Sequence, residues 1–247
     1  MLFIVMHKIN AEIAAGGPPR KELMDGMGAL IGEAVSSGML HDGDGLRGPE
    51  TRVRVRWDRG RGQRSVLNGP LTGDNELVAG ILKLNVSSID EAVQWASRYG
   101  EATGAREVDV GPVTEPWDLG IAPKPEGSVP LRVLVMRKAD AASERGSLPA
   151  PEHTQPFAAL VDEMKRAGVF LGAESLVPSS QASRLQRVAG KNRWTDGPFT
   201  ESKELVSGYA ILKIASKQDA IAWATRYAEI LGDIELDVRE VRETPTR

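Results

Sequence analysis

The chain has 247 residues, no cysteine and a formal charge of -3, from 31 Lys and Arg against 34 Asp and Glu. Without cysteine there is neither a disulfide nor a thiol nucleophile, and the near-balanced charge gives no electrostatic footprint for nucleic acid. With 41% apolar and 26% charged residues, the composition is that of a globular protein rather than a disordered one.

In chain order, Met1–Val5 predicts a buried strand. After Pro18 and Pro19, a helix is expected over Arg20–Ser37, with Leu23, Met27, Leu30, Ile31 and Ala34 on its apolar face. Gly28 and Gly32 share one face of that helix, which points to close packing there. Met39–Leu46 and Thr51–Trp57 read as strands, and Gln63–Leu67 as the return arm of a hairpin. Arg52, Arg54 and Arg56 alternate with Val53, Val55 and Trp57, the pattern of a strand with one wet face, solvated or salt-bridged. Glu76–Leu84 is a strand, Ser88 and Glu91 form a capping box for the next helix, and Glu107–Val110 is a short strand.

Five prolines, at 112, 116, 123, 125 and 130, mark residues 112–130 as a semi-rigid linker. The order then repeats. A strand at Leu131–Met136 precedes a loop at Ala139–Pro151 and a helix at Glu152–Ala167. Strands follow near Val169–Val177, Arg184–Val188 and Leu205–Ile214, then a helix at Ala220–Ile230 capped from Ser216, and a last strand at Glu235–Val241.

The repetition is explicit in the residues. NGPLTGDNELVAGILKLNVSSIDEAVQWASRY at 68–99 returns as DGPFTESKELVSGYAILKIASKQDAIAWATRY at 196–227, at a constant offset of 128. The implied organisation is a first domain at 1–111, the linker at 112–130 and a second domain at 131–247. Each would be βα, a hairpin-containing run of strands, then αβ. That plan is α+β: two ferredoxin-like domains of the dimeric α/β-barrel type, whose antiparallel sheets pack on each other's uncovered faces as an intramolecular pseudo-dimer. No feature determines further homo-oligomerisation.

Candidate chemistry is sparse. Asp196 and Glu201 frame the turn of the TDGPFTESKE segment, and Glu174 is the other acid able to converge on it. The first copy has Asn68 and Gly73 in place of Asp196 and Glu201, so any site is asymmetric. An acid in an apolar cleft has its pKa raised and can serve as general acid or base. Of the three histidines, His41 has the best acidic surroundings, beside Asp42 and Asp44. Strict strand alternation would nevertheless point His41 and Asp42 to opposite faces. No phosphate loop, dinucleotide fingerprint, nucleophile elbow or metal-ligand spacing is present, so no motif calls for a cofactor or metal.

Residues 194–227, together with GAESL and the closing ELDVREV, resemble the YCII-related family and its DGPF subgroup, here as a tandem duplication. The resemblance implies a small ferredoxin-like α+β domain that pairs around a cleft. In some members a histidine and an aspartate are thought to act, and one branch includes a dechlorinating enzyme. His7 is the only residue here that follows strand one as such a histidine would. The resulting expectation is a small-molecule-binding protein, acting as a cofactor-independent acid–base lyase or isomerase through Asp196, Glu201, Glu174 and His41. The alternative is a non-catalytic interaction or accessory regulatory protein. The chain begins without the segments of a signal peptide and contains no apolar run of about 18 residues, so the cytoplasm is expected and a membrane span is not.

Overall fold

The computed structural model describes residues 1–15, 19–58, 63–147, 151–199 and 202–242. Its first half contains β1 (Leu2–Lys8), α1 (Ala11–Ala15), α2 (Lys21–Ser36), β2 (Leu40–Gly45), β3 (Val53–Asp58), β4 (Gln63–Asn68), β5 (Val78–Val86), α3 (Ile89–Ala102) and β6 (Glu107–Pro112). The second half contains β7 (Leu131–Lys138), α4 (Ala141–Glu144), α5 (Pro151–Arg166), β8 (Phe170–Ser175), β9 (Ser183–Val188), β10 (Lys191–Asp196), β11 (Val206–Lys213), α6 (Lys217–Leu231) and β12 (Ile234–Glu240). Three elements were not anticipated: α1, α4 and β10. The short α4 forms because Asp140 accepts from the backbone of Ala142 and Ser143 while Ser143 reciprocates, a local capping box with no apolar period behind it.

The strands form two antiparallel sheets, ordered β10-β9-β12-β1-β11-β2 and β4-β3-β6-β7-β5-β8. Each contains a ferredoxin-like core, β12-β1-β11-β2 or β6-β7-β5-β8, extended by a hairpin. The registers match between sheets. Leu2 pairs with Lys213 where Arg132 pairs with Asn85, and Val53 pairs with Asn68 where Ser183 pairs with Asp196.

Neither sheet corresponds to a half of the sequence. β1 and β2 pair with strands of the second half, and β7 and β8 with strands of the first. The proline-rich segment does not separate the sheets. It is the connection by which β6 returns as its own antiparallel neighbour β7. Glu115 in that segment pairs with Arg132, and Asp118 with Arg47, whereas Ile121 stays exposed.

The barrel-type expectation is corrected. Among the described residues neither sheet closes, and each ends on two different edge strands. The sheets meet at two isolated bridges, Leu46 with Val113 and Leu176 with Val241. Single 3-10 turns at Pro49–Thr51 and Ser179–Gln181 then carry the chain to the other sheet, so no continuous ladder develops there.

Alternation along the strands places the core. On β1, Phe3 and Val5 face α2 and α6, while Ile4 and Met6 face the opposing sheet. On β7, Val133 and Val135 face α3 and α5, while Leu134 and Met136 meet Ile4, Met6, Tyr209 and Ile211 between the sheets. This inter-sheet layer ties the halves together by apolar burial, about 25 cal/mol per Å². The close helix contact falls at Gly26, where an added Cβ would lie 3.0 Å from Ile230 of α6, and not at Gly28 or Gly32, which have nothing within 4 Å.

The arginine strand carries the salt-bridged face, one of its two readings, but Arg52 and Arg54 are buried rather than wet. Arg54 lies in a closed ionic cluster with Glu76 and Asp109, which Lys138 completes. Arg184, Asp237 and Lys8 occupy the corresponding place in the other sheet. In both clusters burial works to raise the Asp109 and Asp237 carboxyls, and the surrounding cations outweigh it and hold them low.

Candidate functional site: a charged cleft between the sheet edges

A cleft of about 480 Å³ opens where β2 and β8, the edge strands of the two sheets, face each other. His41 and Asp42 of β2, Ile211 of β11, Ile81 and Lys83 of β5, and Arg132 of β7 line it. From β8 come Leu171, Gly172, Ala173 and Glu174.

Register explains why these side chains converge. Asp44 pairs with Tyr209 and Asp42 with Ile211, while Glu174 pairs with Ile81 and Gly172 with Lys83. Directly paired residues share a sheet face, so these groups are turned toward the opposing sheet, where Ile81, Tyr209 and Ile211 already lie in the inter-sheet core. The ladder skips His41, since Ile211 pairs with Asp42 and the next residue, Leu212, pairs with Leu40. A β-bulge there breaks the two-residue period and brings His41 to the cleft beside Asp42. The alternation rule placed the two on opposite faces, and the bulge is why it fails. Leu171 occupies the same bulge position on β8.

The cations are already paired. Lys83 Nζ lies 2.7 Å from Asp42 and 2.5 Å from Asp44. Arg132 reaches Asp44 at 2.9 Å and binds Glu115 through two 2.8 Å hydrogen bonds. The Tyr209 hydroxyl donates to Asp42 at 2.7 Å. Burial works to raise the Asp42 carboxyl, but hydrogen bonds from Lys83 and Tyr209 hold it below its ordinary value. The phenol of Tyr209 is pushed far up by burial and by Asp42 and Asp44, so it remains a donor. Glu174 differs from these groups. Burial raises its carboxyl, with nearby His41 opposing and Asp42 reinforcing the shift. Among the described residues it has no hydrogen-bond or ion-pair partner.

Of the four sequence candidates, His41 and Glu174 line the cleft. Asp196 ends β10 in solvent, where it accepts from Ser183 at 2.6 Å and faces Lys217 at 3.5 Å. It does not line the cleft. Glu201 lies outside the described residues. The DGPF turn has a structural setting: Arg184 stacks over Phe199 at 4.2 Å, and Phe199 donates its backbone N–H to Ser179. His7 is buried against Tyr227, whose hydroxyl lies 2.8 Å from Nδ1. Burial, assisted by Arg52 and Lys8, lowers its pKa to about 3, so it stays neutral.

Sequence reading overlooked Lys83, Arg132, Tyr209 and Glu115. A signal existed for two of them. At the repeat offset Lys83 faces Ile211 and Tyr209 faces Ile81, polar residues that the other copy replaces with apolar ones. Arg132 and Glu115 have no such local mark.

The fold and cleft define a ferredoxin-like α+β protein with an asymmetric, ionisable site at its pseudo-twofold. The family model described as the YCII-related domain matches residues 132–242, a likeness that covers the second half of the chain. No curated protein and no solved structure gives a significant match to the chain. Among the described residues no helix is long and apolar enough to cross a membrane, and no group of three or more His, Asp or Glu side chains is placed to hold a metal ion.

Proposed function

We propose that the protein binds a small molecule in the cleft between β2 and β8 and that Glu174 exchanges a proton with it, His41 serving as the adjacent second acid–base group. The observation that carries this reading is the contrast within the cleft. Lys83, Arg132, Asp42 and Asp44 are all paired, whereas Glu174 is half-buried, unpartnered and shifted toward its protonated form. A carboxyl poised this way suits general acid–base chemistry of the lyase or isomerase kind. The cleft volume falls within the range of roughly 300–1,000 Å³ that small-molecule sites occupy.

A fragment screen followed by amide chemical shifts tests the proposal. Hits are expected to move residues of β2 and β8 and to lose effect in Glu174→Gln. Hits confined to other surfaces would sink it.

A non-catalytic interaction role remains the second reading, supported by β4, an edge strand exposed along its whole length that presents Val66 and Leu67. We further read the chain as a tandem duplication of the DGPF subgroup. The Asp196–Phe199 motif and the matching sheet registers support this, with residues 1–111 and 131–247 as the duplicated units. The absence of cysteine supports a reducing, cytoplasmic setting.

A further inference from the structure

We infer that the ligand of this cleft is a small organic cation, an amine carrying an apolar body, a conclusion that rests on the cleft being the binding site.

The charge arrangement leads there. Four carboxylates, Asp42, Asp44, Glu115 and Glu174, stand around two permanent cations, Lys83 and Arg132. Each cation is held by two of the first three acids, so neither is free to receive an incoming anion. A carboxylate or phosphate would have to break one of these pairs and approach an excess of negative charge. Glu174 is the group left over. Its neighbours are His41 and Asp42, and its partner across the ladder, Ile81, is apolar. A neutral ligand would leave Glu174 half-buried with no counter-charge beyond nearby His41. An ammonium would supply the counter-charge and a charge-assisted hydrogen bond.

The second wall gives the rest of the ligand. Leu171 is 47% exposed although it stands at the cleft, an apolar surface waiting for contact. Leu171 occupies the bulge position that His41 occupies on β2, so the two rims differ in kind, one polar and one apolar. A ligand with its nitrogen at Glu174 and Asp42 and its apolar part along Leu171 meets both rims in one orientation. The pseudo-twofold therefore does not provide two equivalent poses.

The test compares three probes with one body and different charge: benzylammonium, benzyl alcohol and benzoate, titrated against the full chain at neutral pH and low salt while amide shifts of β2 and β8 are followed. Benzylammonium is expected to bind about tenfold more tightly than the alcohol, the worth of one charge-assisted hydrogen bond. Glu174→Gln should remove that preference, and an amide spectrum that matches the wild type away from β2 and β8 shows that the variant keeps its fold. Benzoate binding as tightly as the amine, or an amine preference that survives Glu174→Gln, overturns the ligand class while the site itself stands. If none of the three moves β2 or β8, the ligand class and the small-molecule reading fall together.

Discussion

Glu174 and His7 are both ionisable groups displaced from their ordinary range by burial, with opposite consequences. The raised carboxyl of Glu174 means that the folded chain holds its proton more tightly than the unfolded chain does. Stability is therefore lost as pH rises through the interval between the ordinary and the shifted value, and the penalty is fully present above it. Glu174→Gln should raise the melting temperature at neutral pH, and the gain should vanish below about pH 4, where the wild-type carboxyl is protonated in both states. A loss of stability at neutral pH would mean that Glu174 has a partner and is not poised. His7 behaves in the reverse sense. Its folded pKa of about 3 lies below the model-peptide value of 6.5, so the unfolded chain takes up the extra proton. This contribution is complete above pH 6.5, declines as pH falls and is gone below about 3. His7→Gln should flatten the stability profile over that window by up to about 1.4 kcal/mol per pH unit, measured by denaturant titration at several pH values. An unchanged slope would contradict the buried neutral imidazole.

At the level of elements, the corners where the sheets meet are closed by guanidinium groups. Arg52 donates to the carbonyls of Val206 and Arg47 at 2.6 and 2.9 Å, and Arg239 donates to those of Val78 and Val177. The acceptors are counterparts. Val78 and Val206 are the first residues of β5 and β11, and Arg47 and Val177 each follow a bridge residue, Leu46 or Leu176. The donors are not counterparts. Arg52 precedes β3, whereas Arg239 lies on β12, where the first half has Gly111. Each corner leaves strand-end carbonyls without ladder partners, and a long planar cation can reach them from more than one backbone position. Arg52→Met and Arg239→Met should each cost about 2–4 kcal/mol by stranding buried carbonyls. A double variant should cost close to the sum if the corners act independently. Urea denaturation measures this, and a loss under about 0.5 kcal/mol would show that water replaces the guanidinium.

At the level of the whole molecule, every sheet requires strands from both halves of the chain. Among the described residues, the strands that flank β1 are β11 and β12, and those that flank β7 are β5 and β6. Cutting the linker with a protease site near Gly127, which lies in an exposed stretch between β6 and β7, should therefore leave the two fragments associated. They should co-elute on gel filtration and unfold in one transition. Fragments that part as folded monomers would contradict the exchanged topology. The same exchange places β2 and β8 opposite each other as edges, so the cleft exists only when both halves are assembled.

Much of the architecture was readable from local pattern. The helices over 21–36, 89–102, 151–166 and 217–231 and most of the strands follow from apolar period and caps, because those are nearest-neighbour properties of a chain. Even there, small differences belong to the fold: the Glu91 carboxylate accepts from Ser87 rather than closing a box with Ser88. The repeat also implied the pairing of two like units, since copies with one uncovered face each must bury it. Partner choice was not readable. β1 would find the same apolar complement on its own half as on the other, and ladder energy does not distinguish them. Only chain connection through the linker and the corner turns decides. The cleft is a consequence of that decision. His41 reaches it through a bulge, Lys83 and Arg132 through the opposing sheet, and Glu174 from the edge contributed by the other half. Local pattern determined most of the elements, the repeated motif and the absence of thiol chemistry. The tertiary structure alone decided which acid is left without a partner, because a carboxyl is paired or unpaired according to what other strands bring within about 3 Å of it.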